Sequence, residues 1–228
     1  MVIVALDFSD PQAALALAEK IPASSCALKV GFELFLSGGP ALVEALVSQG
    51  FKVFLDLKFH DIPNTVAQAC AAAASLGVWM INVHASGGMR MMEAAREAID
   101  KSQHRPHLIA VTVLTSSSQA DLDSTGVQGE LTQVVTRWAQ QSHQAGCDGV
   151  VSSAQEARMI RQATAPEFLI VTPGIRLPAD SQDDQIRIVT PQDAAQAGVN
   201  HIVVGRPITK AEQPQQALQT FVNAFAGA

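Results

Sequence analysis

The segment Val53-Phe54-Leu55-Asp56-Leu57-Lys58-Phe59-His60-Asp61-Ile62-Pro63-Asn64-Thr65 joins an apolar run to a knot of charges and then to a proline. Val53-Phe54-Leu55 has the unbroken apolar character of a buried strand. Side chains two apart on a strand share a face, so Asp56 and Lys58 are expected to project together from its C-terminal end. Pro63 suits the first turn of a helix, where a missing N–H leaves nothing unpaired. The segment therefore predicts strand, charged loop, helix. Taken alone, Asp56 and Lys58 are no more than an ion pair in a surface loop. Taken with the rest of the chain, they mark a site.

Outward from this segment the same cycle repeats. Strands are expected at Val2–Leu6, Ala27–Val30, Val53–Asp56, Met80–His84, Leu108–Leu114, Gly149–Val151, Phe168–Thr172 and His201–Val204. Between them lie alanine-rich helical patterns at Pro11–Lys20, Ala41–Gln49, Ile62–Leu76, Glu93–Lys101, Glu130–Ala145 and Ala154–Ala163. Gly50, Gly77, Gly146 and Gly198 each follow a helical pattern, where a glycine ends the helix in a left-handed turn. Eight strands alternating with helices predict a (β/α)₈ barrel, taken as a single domain over residues 1–228 because no linker or composition break divides them. The longest irregular stretches, Ser116–Gly129 and Gly174–Ile188, both follow predicted strands and are candidate active-site loops.

Composition narrows the function. Hydrophobic residues make up 48% and charged residues 16% of the chain, with mean hydropathy +0.18, which gives ample material for one large core. A net charge of −6 argues against nucleic acid or an anionic membrane as the main partner, so an anionic ligand must be caught by a local group of donors. No run approaches the roughly 18 apolar residues of a membrane span. The opening Met-Val-Ile-Val-Ala-Leu-Asp lacks a basic leader and is expected to be the first strand. Cys26, Cys70 and Cys147 are odd in number and widely spaced, as expected of reduced core thiols in a cytoplasmic protein.

In a barrel of this kind, reacting groups gather at the C-terminal ends of the strands. Auditing those ends in order gives Asp7, Lys29, the Asp56–Lys58–Asp61 group, Asn82-Val83-His84, Thr115-Ser116, Pro173-Gly174-Ile175-Arg176 and Gly205-Arg206. Two lysines, three acids and two arginines around one mouth are costly for stability and point to a site. Loops after the last two strands often take phosphate in this architecture. Gly205 would let a ligand approach the backbone, Arg206 offers a bidentate fork, and Arg176 is a second donor. His60 is expected to support the cluster, and His84 suits a core position as well as a ligand-binding one. There is no HExxH, no paired Cys/His spacing, no GxGxxG and no P-loop, so neither zinc nor a nucleotide cofactor is expected. Glu33 lacks a second acid nearby in sequence to make it a metal ligand.

These residues resemble the orotidine 5′-phosphate decarboxylase family, bacterial type, over nearly the whole chain. The resemblance rests on Ala5-Leu6-Asp7, Leu28-Lys29-Val30-Gly31, the ten residues from Asp56 to Thr65, Val111 to Ser116, Thr172 to Arg176, and Val204-Gly205-Arg206-Pro207. It implies that Asp7 and Lys29 hold the ribose hydroxyls, and that Lys58 donates the proton within an array of Lys29, Asp56, Lys58 and Asp61. It implies a homodimer with shared active sites, Asp61 and Thr65 entering the partner's site. Thr115 and Ser116 would contact the pyrimidine, while Arg176, Gln185, Gly205 and Arg206 would hold the phosphate, Gln185 also spanning toward the base. The implied reaction converts orotidine 5′-phosphate to uridine 5′-phosphate (UMP), the last step of pyrimidine nucleotide biosynthesis, with no cofactor and no metal. Loss of CO₂ from C6 leaves a carbanion without an adjacent π-sink, and a lysine ammonium supplies both the countercharge and the proton. Asp56 is expected near the departing carboxylate, where repulsion raises the ground state.

Two rivals remain at this point. Metal-dependent sugar-phosphate decarboxylases, such as those acting on 3-keto-gulonate 6-phosphate, share the Asp-x-Lys-x-x-Asp pattern but place a metal-binding glutamate where this chain has Lys29. A non-catalytic nucleotide-phosphate binding barrel would keep the phosphate donors without turnover; intact Asp56, Lys58 and Asp61 speak against it.

Overall fold

The computed structural model of the protein describes residues 1–178 and 189–227. Eight parallel strands close into a barrel in chain order: β1 (Val2–Ala5), β2 (Ala27–Val30), β3 (Lys52–Phe59), β4 (Met80–His84), β5 (His107–Val111), β6 (Gly149–Val151), β7 (Leu169–Thr172) and β8 (His201–Val204). Closure is made by β1 lying against β8, with Ile3 opposite Val203. The (β/α)₈ expectation holds.

Alternation along the strands builds two cores. One row, including Ile3, Ala5, Ala27, Phe54, Met80, Ile109, Val171 and Val203, fills the barrel interior. The opposite row packs outward beneath the helices, among them Leu28, Leu55, Ile81, Leu108 and Ile170. The interior row decides where the site lies. Two residues beyond Ala5, Ala27, Phe54 and Met80 come Asp7, Lys29, Asp56 and Asn82. The register that buries apolar side chains low in the barrel thus lifts polar ones to its C-terminal mouth.

Helices α1 (Pro11–Ala18), α2 (Phe32–Ser48), α3 (Pro63–Ser75), α4 (Met89–Asp100), α5 (Gln119–Ser124), α6 (Leu131–Gln144), α7 (Ala157–Ala163), α8 (Pro191–Gln196), α9 (Arg206–Thr209) and α10 (Pro214–Ala226) surround the sheet. Several differ from expectation. Gly39, at φ 61°, and Pro40 break α2, which begins at Phe32 rather than Ala41. The stretch 116–129 is not irregular throughout. Ser118 and Asp121 form a reciprocal capping box that starts α5, a signal available in Ser-x-x-Asp but outweighed by the surrounding polar residues. Helices α8, α9 and α10 each carry proline in the first turn; the end of α8 at Gly198 matches expectation, while α9 and α10 have no counterpart among the expected helices. Of the second candidate loop, 174–188, residues 179–188 lie outside the described residues. The three cysteines are free and buried, and burial pushes each thiol up to about 12, as expected of unreactive core thiols.

Candidate active site

The strand carrying the central motif is not regular. It was expected to end at Asp56 but continues to Phe59. The β3–β4 ladder pairs Leu55 with Ile81, then resumes at Phe59 with Val83, so four residues of β3 advance against two of β4. The surplus forms a bulge over Asp56-Leu57-Lys58. Within it Lys58 has φ 46°, a left-handed conformation that no other non-glycine residue among those described adopts. Asp56 and Lys58 do come together as expected, with Lys58 Nζ 2.8 Å from Asp56 Oδ1. Their approach follows from a bulge rather than from simple alternation.

Asp56 is the centre of the array. Its Oδ2 lies 3.3 Å from Lys29 Nζ, and Lys29 reaches Asp7 Oδ1 at 3.2 Å. Burial would raise the Asp56 carboxyl, but the charges of Lys29 and Lys58, with hydrogen bonds from Lys58 and Asn82, hold it below the usual carboxylate range. Burial likewise works to lower Lys29, yet Asp56 and then Asp7 outweigh it and hold the ammonium above its ordinary value. Both groups are thereby kept charged in a largely buried setting. Gly31 leaves room for this: a Cβ there would come within 3.2 Å of Lys29 Nζ.

Lys29, Asp56 and Lys58 border a cavity whose apolar floor includes Phe54, Val111, Val151, Val171 and Val203. Thr115 and Ser116 line the same cavity from the loop after β5. Phe32, at the start of α2, presents its ring 5.1 Å from Lys58 Nζ. An adjoining cavity shares Lys29, Pro173 and Val203 with the first and is bordered by Asp7, Gly174, Arg176, Gly205 and Arg206. Arg176 is buried, its Nη1 donating to the Ile175 carbonyl at 2.9 Å. At Gly205 a Cβ would meet Asp7 Oδ2 at 3.5 Å and Ala5 Cβ at 3.6 Å, ordinary contacts, so packing within the protein does not itself demand glycine there.

The two cavities unite Asp7, Lys29, Asp56, Lys58, Thr115, Ser116, Arg176, Gly205 and Arg206 at one barrel mouth. Gln185 lies outside the described residues. Asp61 and Thr65 are exposed and border neither cavity, and Asp61 Oδ1 accepts from the Ile62 backbone N–H at 2.6 Å. His60 and His84 face each other with ring centroids 5.5 Å apart. Burial, His60 and Lys58 hold His84 below the ordinary imidazole value, so it is a neutral neighbour of the array. Lys210 was missed. It borders the second cavity four residues after Arg206, a helical spacing legible only once a helix is known to start there. Asn82 was noted as a strand-end residue without a role, yet it bonds to the central motif twice.

Comparison with known proteins gives the family. A family model described as "Orotidine 5'-phosphate decarboxylase / HUMPS family" matches residues 1–221. An orotidine 5′-phosphate decarboxylase of Chromobacterium violaceum is 55% identical over 229 residues, covering 99% of this chain and 93% of the relative. That of Legionella pneumophila subsp. pneumophila is 53% identical, covering 96% of each. The solved structure of orotidine 5′-phosphate decarboxylase from Lactobacillus acidophilus superposes with a TM-score of 0.88 at 37% identity over 98% of both chains. A family match from the first strand to the last helix, close relatives of nearly equal length and a common barrel converge: the chain belongs to the orotidine 5′-phosphate decarboxylase / HUMPS family.

Proposed function

We propose that this chain is an orotidine 5′-phosphate decarboxylase, forming UMP in a single barrel domain without a cofactor. The observation that carries the reading is the Lys29–Asp56–Lys58 array at the rim of an apolar cavity, with an arginine-lined cavity alongside. The pyrimidine lies over the apolar floor beside Thr115 and Ser116. The ribose meets Asp7 and Lys29, and the phosphate meets Arg176, Gly205 and Arg206. The C6–carboxylate bond breaks, CO₂ departs, and the electron pair stays on C6 opposite the Lys58 ammonium. Lys58 then gives its proton to C6 and is reprotonated from solvent. A fixed cation aimed at charge that develops only in the transition state accelerates the step rather than merely binding substrate.

A second copy of the chain completes the site in this reading, bringing its Asp61 and Thr65 to the array. The exposed large apolar side chains support it. Phe32 (52% exposed) and Leu36 (85%) in α2, Ile62 (66%) after β3 and Leu114 (44%) after β5 are the exposed large apolar side chains among the described residues, and a partner on that side of the barrel would cover them. A cytoplasmic location fits the buried free thiols, and no described helix is long and apolar enough to cross a membrane.

Lys29 separates this reading from the metal-dependent sugar-phosphate one. Its ammonium lies 3.2 Å from Asp7 and 3.3 Å from Asp56, occupying oxygens a divalent cation would need. The test is loss of orotidine 5′-phosphate absorbance on adding purified protein. Turnover that survives exhaustive chelation is expected. No turnover, or strict dependence on Mg²⁺, would refute the assignment.

A further inference from the structure

Asn82 sits in β4, fully buried, in the interior row two residues above Met80. Its side chain faces the β3 bulge and is used at both ends. Asn82 Oδ1 accepts from the Lys58 backbone N–H at 2.7 Å, and Asn82 Nδ2 donates to Asp56 Oδ1 at 2.6 Å. The amide can lie only one way round, because a backbone N–H needs an oxygen and a carboxylate needs a donor. Lys58 Nζ donates to the same Asp56 oxygen at 2.8 Å. The three groups therefore close a ring: Lys58 backbone to Asn82, Asn82 to Asp56, and Asp56 to the Lys58 ammonium.

The ring answers a problem created by the bulge. Between Leu55 and Phe59 the ladder to β4 is interrupted, and within that interruption the Lys58 N–H donates to the Asn82 side chain. Lys58 also holds φ 46°, a conformation that costs an L-residue about 1–2 kcal/mol and persists only when its surroundings enforce it. Asn82, on the neighbouring β4, supplies the acceptor for that N–H.

We propose that Asn82 is the positioning residue of the site: it fixes the left-handed backbone of Lys58 and one oxygen of Asp56, and so aims the ammonium at the cavity. Asn82 does not border that cavity and is not a catalytic residue. A carboxamide is the side chain that offers an acceptor and a donor on adjacent atoms at this reach. Leucine at this position would strand the Lys58 N–H. Aspartate would set a second carboxylate against Asp56 unless one of the two took a proton. The inference rests on the decarboxylase reading, in which Lys58 and Asp56 are reacting groups.

The test compares Asn82→Ala and Asn82→Asp with wild type in kcat, KM, UMP affinity and the pH–rate profile. For Asn82→Ala we expect kcat to fall about 100-fold, the scale of a misplacement near 1 Å, while UMP affinity stays within about threefold. For Asn82→Asp we expect kcat to rise as pH falls through an ionisation absent from wild type and from the alanine variant, since protonated aspartate restores both bonds. Acid unfolding adds a readout independent of turnover. Losing the Asn82 bond weakens what holds the Asp56 carboxyl low, so Asn82→Ala should unfold at higher pH than wild type on acidification. Folded Asn82→Ala with wild-type kcat overturns the proposal. So does an aspartate variant, folded or rescued by low temperature, whose pH profile lacks the new ionisation. Wild type without turnover would refute the decarboxylase reading instead, and acid unfolding would still decide whether Asn82 holds Asp56.

Discussion

Asp56→Asn isolates what the central carboxylate does, because it removes a charge with almost no change of volume. Asp56 receives Lys58 at 2.8 Å and Lys29 at 3.3 Å. At an effective dielectric of about 20 these contacts amount to roughly 6 and 5 kcal/mol of gross attraction, most of it offset by desolvation. Breaking a buried pair from one side costs about 3–5 kcal/mol. Lys29 retains Asp7 and the Lys58 side chain is partly exposed, which favours the low end, about 3 kcal/mol. The asparagine also turns a donor toward Lys29, so no hydrogen bond replaces the lost one. For a chain of this length, about 3 kcal/mol lowers Tm by roughly 6–12 °C. The pH dependence has a definite sign. In wild type the depressed Asp56 pKa contributes stability present above the unfolded value near 3.8, and lost as pH falls through the lower folded value. The raised Lys29 pKa contributes stability present below 10.5, lost as pH rises through the higher folded value. Without Asp56, burial of Lys29 is opposed by Asp7 alone, so its pKa falls and the basic limb of the rate profile moves to lower pH. Chemical denaturation at pH 3 to 11, paired with kcat against pH, measures both effects. A variant within about 0.5 kcal/mol of wild type at neutral pH, or one whose basic limb stays in place, would refute the reasoning.

Three further outcomes are expected. Lys58→Ala should abolish decarboxylation while UMP still binds, and Asp61→Asn should be severely impaired; with Asp61 acting in the partner's site, as proposed above, mixing and exchanging their subunits should restore activity, because one site of the heterodimer would then escape both lesions. Flat activity after verified exchange would exclude a shared site. Arg206→Ala should raise KM and lower kcat/KM about 10–100-fold, the scale of a lost charge-assisted pair. Free phosphite added with the phosphate-less nucleoside should restore part of the wild-type rate, and no activation would mean that phosphate only anchors. At the opposite end of the barrel, burial, the N-terminal amine, His107 and Lys52 lower His201 to about 4 from 6.5. A histidine kept neutral contributes stability above 6.5 that is lost as pH falls toward 4, at most about 3 kcal/mol at 1.36 kcal/mol per pH unit. His201→Phe should flatten the melting profile across that window without changing kcat at neutral pH.

The barrel was legible because periodicity is local: an apolar run, a helical pattern and a terminal glycine each act within a few residues, and eight repeats leave little choice of architecture. The charged residues at strand ends were legible for the same reason, since alternation lifts every second residue from a buried row to the mouth. Helix α9 was not, because a helix of four residues owes its stability to packing more than to propensity; α10, with Leu218 and Phe221 buried on one face of thirteen residues, does carry a legible apolar pattern. Lys210 is legible only together with α9, whose helical spacing from Arg206 brings it to the second cavity. Local patterns along the chain specify the barrel, the strand that carries Asp56 and Lys58, and the set of groups available to them. How they meet is set by long-range packing: a two-residue surplus on β3, a lysine held in a left-handed conformation, and an asparagine from the neighbouring strand bonded to both. No local propensity encodes that arrangement, because its energy comes from satisfying polar groups that become buried only when β3 and β4 lie side by side.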